Sequence, residues 1–154
     1  MDDTEIMYLI NEPKTLYKKG RWSIQGKFRK RNDILVSVDN DYTFQLFHRQ
    51  SLLLASSFSY GLLWTPSHRE NIILTRYNGA SHNHTNTIEN ESIEMHCHIH
   101  VATQRYIESN QKAEHYAIET DKYEAPHEAF LCLLTDCNIG GYEQNDNGTD
   151  DLFD

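Results

Sequence analysis

A chain of 154 residues, 38% hydrophobic and 24% charged, is long enough for one folded domain with a real apolar core. No run of about 18 apolar residues is present, which excludes a membrane-spanning helix. The N-terminal "MDDTEIMYLINEP" is too acidic and too poor in apolar residues for a secretory signal, so a cytoplasmic protein is expected. A net charge of −9 argues against a nucleic-acid binder that works by electrostatics alone.

Asp3 to Glu12 is predicted to form a short helix that Pro13 ends. "KKGRWSIQGKFRKR", Lys18 to Arg31, then gathers seven of the fourteen basic residues, a local basic face on an acidic chain. Within it Trp22, Ile24, Gly26 and Phe28 alternate with polar neighbours at strand period. "DILVSV" and "YTFQLFHRQ", joined by the turn at Asp39–Asp41, read as a hairpin. "FSYGLLWT" and "NIILTRYNG" read as a second hairpin, and "IEMHCHIHV" as a further strand.

The period then changes. "TQRYIESNQKAEH" and "PHEAFLCLLTDC" look helical, with Pro126 in a first turn and Phe130, Leu133 and Leu134 as the apolar stripe. Strands followed by helices predict an α+β fold: an antiparallel, curved sheet of about six strands with C-terminal helices on one side. Residues 1–139 are expected to form a single domain. Residues 140–154, with five acids and no base, have the composition of a disordered tail. Cys132 and Cys137 would lie roughly 140° apart around a helix, and Cys97 has no obvious mate, so reduced thiols are expected.

Histidine distribution carries the functional signal. Between Arg76 and Tyr106 lie five of the nine histidines: His82, His84, His96, His98 and His100. On a strand, His96, His98 and His100 share one face, and Cys97, Ile99 and Val101 take the other, towards a core. His82 and His84 follow the turn-like Tyr77-Asn78-Gly79, and Asn86 to Glu94 is short enough to bring both runs side by side.

Two chemistries fit. His82, His84, His98 and His100, with Glu89 or Glu94, suit a divalent transition metal, although the spacing matches no zinc-finger or His-Glu-x-x-His pattern. Alternatively, phosphodiester cleavage needs a base, an acid and a cation. His98 and His100 would supply the proton transfers, with His82 and His84 as companions; Arg76 and Arg105 would hold phosphate. Tyr77, Asn78, Thr103 and Tyr106 would position it, and Lys27, Arg29, Lys30 and Arg31 would carry a nucleic-acid backbone. The bland alternative is a hydrogen-bonded polar surface. His48, His68 and His127 are isolated, and His115 reads as a packing residue. No Gly-x-Ser-x-Gly elbow or glycine-rich phosphate loop occurs.

"RYNG", "SHNHTNTIE", "HIHVATQRY", "HYAIETDKY" and "LCLLTDCNI" resemble a family of small, uncharacterised bacterial proteins, over roughly Tyr60 to Ile139. The matching residues include Arg76, Tyr77, Asn78, Gly79, His82, His84, Asn86, Glu89, His98, His100, Thr103, Arg105, Tyr106, Thr120 and Tyr123; His96 and Cys97 fall outside the pattern. The Arg-Tyr-Asn…His-x-His layout is also similar to certain toxins of bacterial toxin–antitoxin modules. That similarity implies a ribonuclease-like toxin or defence protein acting on RNA or other nucleic acid, with a protein antitoxin as partner. The contrasting expectation is a non-enzymatic acidic inhibitor, possibly of phage origin, that grips a nucleic-acid-handling complex through its negative charge. A metal-dependent small-molecule enzyme on a double-stranded β-helix is a third.

Overall fold

The computed structural model describes residues 1–39 and 41–143. Helix α1 (Asp3–Asn11) starts where the Asp2 carboxylate accepts the Glu5 N–H at 2.8 Å. Its Ile6, Leu9 and Ile10, one face at i, i+3 and i+4, are buried. After Pro13 the chain runs through β1 (Lys14–Lys18), β2 (Ser23–Gln25), β3 (Phe28–Ser37), β4 (Thr43–Ser51), β5 (Phe58–Trp64) and β6 (Ile72–Asn78). The hairpin of β7 (His84–Asn86) and β8 (Glu91–Ile93) follows, then β9 (His98–Val101), the short helix α2 (Gln104–Glu108) and β10 (Ala117–Glu119). Helix α3 (Pro126–Asp136) and β11 (Ile139–Gly140) complete the described elements.

One sheet holds nine of these strands, in the order β10-β9-β6-β5-β4-β3-β1-β11, with β2 paired to β3. β7 and β8 form a separate two-stranded sheet. All pairs are antiparallel except β1 with β11, so the expected α+β class with a large antiparallel sheet is present.

The sheet exceeds the six strands expected because the added ones are too short to show a period. β11 has two residues and β10 three. Two segments also divide differently. "RWSIQGKF" is a hairpin, because Gly26 at φ 61° turns the chain between β2 and β3. "IEMHCHIHV" breaks at Met95, φ 39°, so β8 and β9 belong to different sheets. The helix expected over 103–115 shrinks to α2, capped by the Thr103 side chain.

The sheet has two unlike faces. Tyr60, Leu62, Phe58, Leu46, Phe44 and Leu35 point to one face, where α1 and the Ala129, Phe130 and Leu133 stripe of α3 close the core. Burying each such large apolar side chain is worth about 1.5–3 kcal/mol. Charged groups enter this core only with partners. Asp33, fully buried, accepts from Arg31 Nε at 3.0 Å and Nη2 at 2.9 Å, from His48 Nε2 at 2.9 Å and from Tyr142 Oη at 2.6 Å. Lys14, 2% exposed, donates to the carbonyls of Ile10, Glu12 and Cys137 at 2.8, 2.7 and 2.9 Å.

Gly140 pairs with Thr15 in β11 and Tyr142 reaches Asp33, so ordered structure runs past residue 139. The rest of the expected tail, 144–154, lies outside the described residues. All three cysteines are free thiols, and Cys97 lies in the core cluster. No helix among the described residues is long and apolar enough to cross a membrane.

Candidate functional site

The face away from α1 and α3 is polar, and strand register shows how it is built. Two cross-strand rows run over it: Lys30, Arg49, Ser59, Asn78 and His98; and Asn32, Phe47, Gly61, Arg76 and His100. Each step is one inter-strand spacing, about 4.8 Å. Gly61 is required there. A Cβ on it would stand 2.2 Å from the Phe47 ring, so the far end of that ring packs against the bare backbone.

His98 and His100 therefore stand side by side on one face, as the alternation predicts, with ring centres 5.0 Å apart. The β7–β8 hairpin folds over them. It brings His84 to 4.8 Å from His100 and 5.6 Å from His98, and the preceding loop brings His82 to 5.2 Å from His98. A fifth ring, His115, comes from the loop before β10 and lies 4.9 Å from His84. Spacing gives no sign of it, since it is 15 residues from the nearest of the other four; only the topology places it there.

Asn86 fastens the hairpin. Its amide donates to Ala117 O at 2.8 Å and accepts from Ala117 N at 2.9 Å, completing the outer edge of β10 as a strand would. Tyr106, fully buried, donates its hydroxyl to Glu89 at 2.6 Å and accepts from Ile88 N at 3.1 Å.

The hydrogen bonds fix the ring tautomers. His98 Nδ1–H donates to His96 O at 2.8 Å and His100 Nδ1–H to Glu114 O at 2.9 Å. Burial pushes both imidazoles down, His98 to about 4 and His100 to about 2, with the charge of Arg76 adding to the effect. Both are thus neutral at pH 7, with one N–H each, and Nε2 carries a lone pair. Each Nε2 is buried without a hydrogen-bond partner. His84, lowered by burial as well, donates Nε2–H to Asn86 Oδ1 at 2.9 Å, and His115 donates Nε2–H to Thr85 O at 3.0 Å. His84, His98 and His100 thus give one N–H to protein oxygens and keep a lone pair on the other nitrogen.

Beside the cluster opens a cavity of about 330 Å³ lined by Arg49, Ser59, Arg76, Asn78, Ser81 and His82, with Phe47 and Phe58 as apolar wall. Arg76 pairs with the buried Glu114 at 3.5 Å through Nη1, while its buried Nε has no partner. Arg49 lies over the Phe28 ring at 3.5 Å and stands opposite Lys30. Like charges so placed repel, which favours an anion between them. A larger cavity, about 470 Å³, lies on the other face between α1, α3 and β9, but its walls are chiefly apolar and no histidine lines it.

Of the residues expected at a site, the structure brings together His82, His84, His98, His100, Arg76 and Asn78. The others go elsewhere. Arg29 and Arg31 are buried on the helix face, bonded to Gln50 and Asp33, so they offer no surface to a nucleic acid. Lys27 is exposed in the turn before β3, and Lys30 alone of the four shares the histidine face. Tyr77 points to the helices and donates to Asp136 at 2.5 Å. Arg105 is engaged by Glu89 at 2.5 Å, Tyr106 holds the hairpin, and Thr103 caps α2. His96, bonded to Asp121 at 2.9 Å, is not part of the cluster. Arg49, Phe47 and His115 are the site residues that sequence reasoning missed.

Fold and site together define the class: an α+β protein with a polar, histidine-lined face on a largely antiparallel sheet. Comparison with known proteins takes the identification no further, since no family model, no curated protein and no solved structure matches the chain.

Proposed function

We propose that this protein is a phosphodiester-cleaving enzyme acting on nucleic acid, of the ribonuclease-like toxin or defence type. One observation carries the reading: His82, whose ring packs against His98 of the imidazole cluster, lines a small cavity walled by Arg49 and Arg76. Phosphoryl transfer needs positive charge beside the equatorial oxygens, where negative charge gathers, and a group that takes the proton from the attacking oxygen and returns one to the leaving oxygen. Arg76 and Arg49 serve the first need. His82, the exposed ring on the cavity wall, serves the second. His98 and His100, 0% and 2% exposed and held neutral by burial, are positioning groups behind it and do not meet substrate. The line from Lys30 through Arg49 to Arg76 suits a single-stranded backbone, and Phe47 offers a ring face to a base.

The test is cleavage of RNA, single-stranded DNA and cyclic nucleotides, each with and without added divalent metal. Turnover that falls at least 100-fold in Arg76→Ala and in His82→Ala, both still folded, is the expected result. Intact substrates under every condition would refute it and favour the acidic inhibitor.

A further inference from the structure

Among the described residues no group of three or more histidine, cysteine, aspartate or glutamate side chains is placed to hold a metal ion. The metal expected at His82, His84, His98 and His100 therefore has no ready site. A different surface lies at one end of the main sheet, where the β4–β5 loop meets the β2–β3 turn. We infer that the Leu52-Leu53-Leu54 tip of that loop, with Lys27, Lys30 and Arg49 behind it, docks the protein on the surface of an anionic phospholipid bilayer.

Leu52, Leu53 and Leu54 are 47, 74 and 53% exposed, and none belongs to the core cluster. Single apolar side chains are common on a surface, but three in a row are not, and such a run points to a binding role. The loop is built to present them. Ser51 Oγ accepts the N–H groups of Leu53 and Leu54 at 3.1 and 3.0 Å, and Ser57 N–H donates to Leu54 O at 3.0 Å. Leu52 N–H donates to Lys27 O at 2.8 Å, which joins the loop to the β2–β3 turn, where Ile24 is also exposed. At its far end the loop lies tight against Gly79, where a Cβ would stand 2.1 Å from Ser56 O. With its backbone fixed in this way, the loop meets a surface without first being ordered, which favours binding.

Charge is segregated to the same end. The chain carries −9 overall, yet no aspartate or glutamate occurs between Glu12 and Asp33 or between Asp41 and Glu70, the stretches that contain both chain reversals. Lys27 is exposed in the turn, and Lys30 and Arg49 pair across β3 and β4, one row behind Phe28 and Ser51. Two residues along a strand span about 7 Å. Side chains inserted at a membrane surface reach about 5–10 Å, to the boundary of headgroups and acyl chains. With the leucines at that depth, Lys30 and Arg49 stand at the level of the lipid phosphates. Apolar and basic contacts together give firm binding, where one alone gives marginal binding.

Other occupants fit less well. The tip offers a few hundred Å² at most, against roughly 800 Å² per partner in a stable protein interface. Single-stranded nucleic acid stacks its bases on aromatic rings, and leucine has none. The inference goes beyond the enzymatic reading and does not rest on it.

The experiment sediments the full chain with vesicles of phosphatidylcholine alone, or of phosphatidylcholine and phosphatidylglycerol in equal parts, at physiological salt. Binding to the anionic vesicles is expected, at least 10-fold tighter than to the neutral ones. Leu53→Ser combined with Leu54→Ser should keep the parent's melting midpoint and bind at least 10-fold more weakly, and Lys27→Gln about fivefold more weakly. Ile118→Ser, at an exposed apolar position on the edge strand β10, should bind as the parent does. Leu53→Trp should shift its emission to shorter wavelength when anionic vesicles are added. Absence of vesicle binding by the folded parent overturns the inference, as does equal binding by the double-serine variant. A dimer, or a complex with single-stranded RNA, that the double-serine variant loses while vesicles go unbound would assign the tip to that occupant and also overturn it. No cleavage enters these measurements, so the enzymatic reading stands or falls separately.

Discussion

Replacing Asn86 by alanine tests how the hairpin is held over the histidines. The Asn86 amide makes two hydrogen bonds to the backbone of Ala117 at 2.8 and 2.9 Å, and both residues are 2% exposed. Alanine leaves the N–H and C=O of Ala117 without partners, and each unsatisfied buried group costs about 1–3 kcal/mol. β10 is an edge strand, so water reaches part of the gap, and about 2–4 kcal/mol is expected overall. That is a large part of the roughly 5–15 kcal/mol that holds a domain together. Equilibrium urea unfolding followed by Trp22 and Trp64 fluorescence measures the loss directly, and a thermal scan should show a fall of about 5–15 °C. Hydrogen exchange should quicken in residues 84–93 and 117–119 but not in the β3–β4 hairpin. A change below about 1 kcal/mol, or uniform loss of protection, would mean that Asn86 is not the fastener.

Further outcomes follow from the same geometry. Asp33→Asn leaves Arg31 buried without its carboxylate and should cost about 3–5 kcal/mol in denaturant unfolding. Burial alone would raise the Asp33 carboxyl, but the hydrogen bonds from His48, Arg31 and Tyr142 outweigh it and hold the group well below the usual carboxylate range. Its stabilisation is thus complete above the unfolded value near 3.9 and fades as pH falls below that, a slope that the asparagine variant should lack in acid titration. Cys137, 1% exposed with its thiol pushed up to about 12 by burial, should stay unmodified by a thiol reagent at pH 8 until the protein unfolds, whereas half-buried Cys132 should react slowly in the native state. Gly61→Val drives a side chain into the Phe47 ring and should both destabilise the sheet and weaken any nucleic-acid binding, measured by unfolding and by fluorescence anisotropy.

What the sequence made legible depended on length and period. β3–β4 and β5–β6 are long enough to alternate, and their hairpins form as expected. β1, β10 and β11 are held by pairing partners far away in sequence, which no local window contains. The meeting of His82 and His84 with His98 and His100 followed from side-chain alternation and a short connection. His115 did not, because only the return of the chain along β9 brings it in. The basic run misled for a related reason. Arg29 and Arg31 look like solvated charges, but strand alternation turns them inward, and their partners Gln50 and Asp33 can be recognised only once β3 and β4 are in register.

The parallel contact between β1 and β11 has a consequence for biosynthesis. Lys14 pairs with Ile139, and its buried ammonium needs the carbonyl of Cys137. During translation the N-terminal strand must therefore wait, with one edge open, until residues more than 120 positions later have left the ribosome. A message cut short before that point yields a polypeptide that cannot close its own sheet, a natural substrate for quality-control proteases.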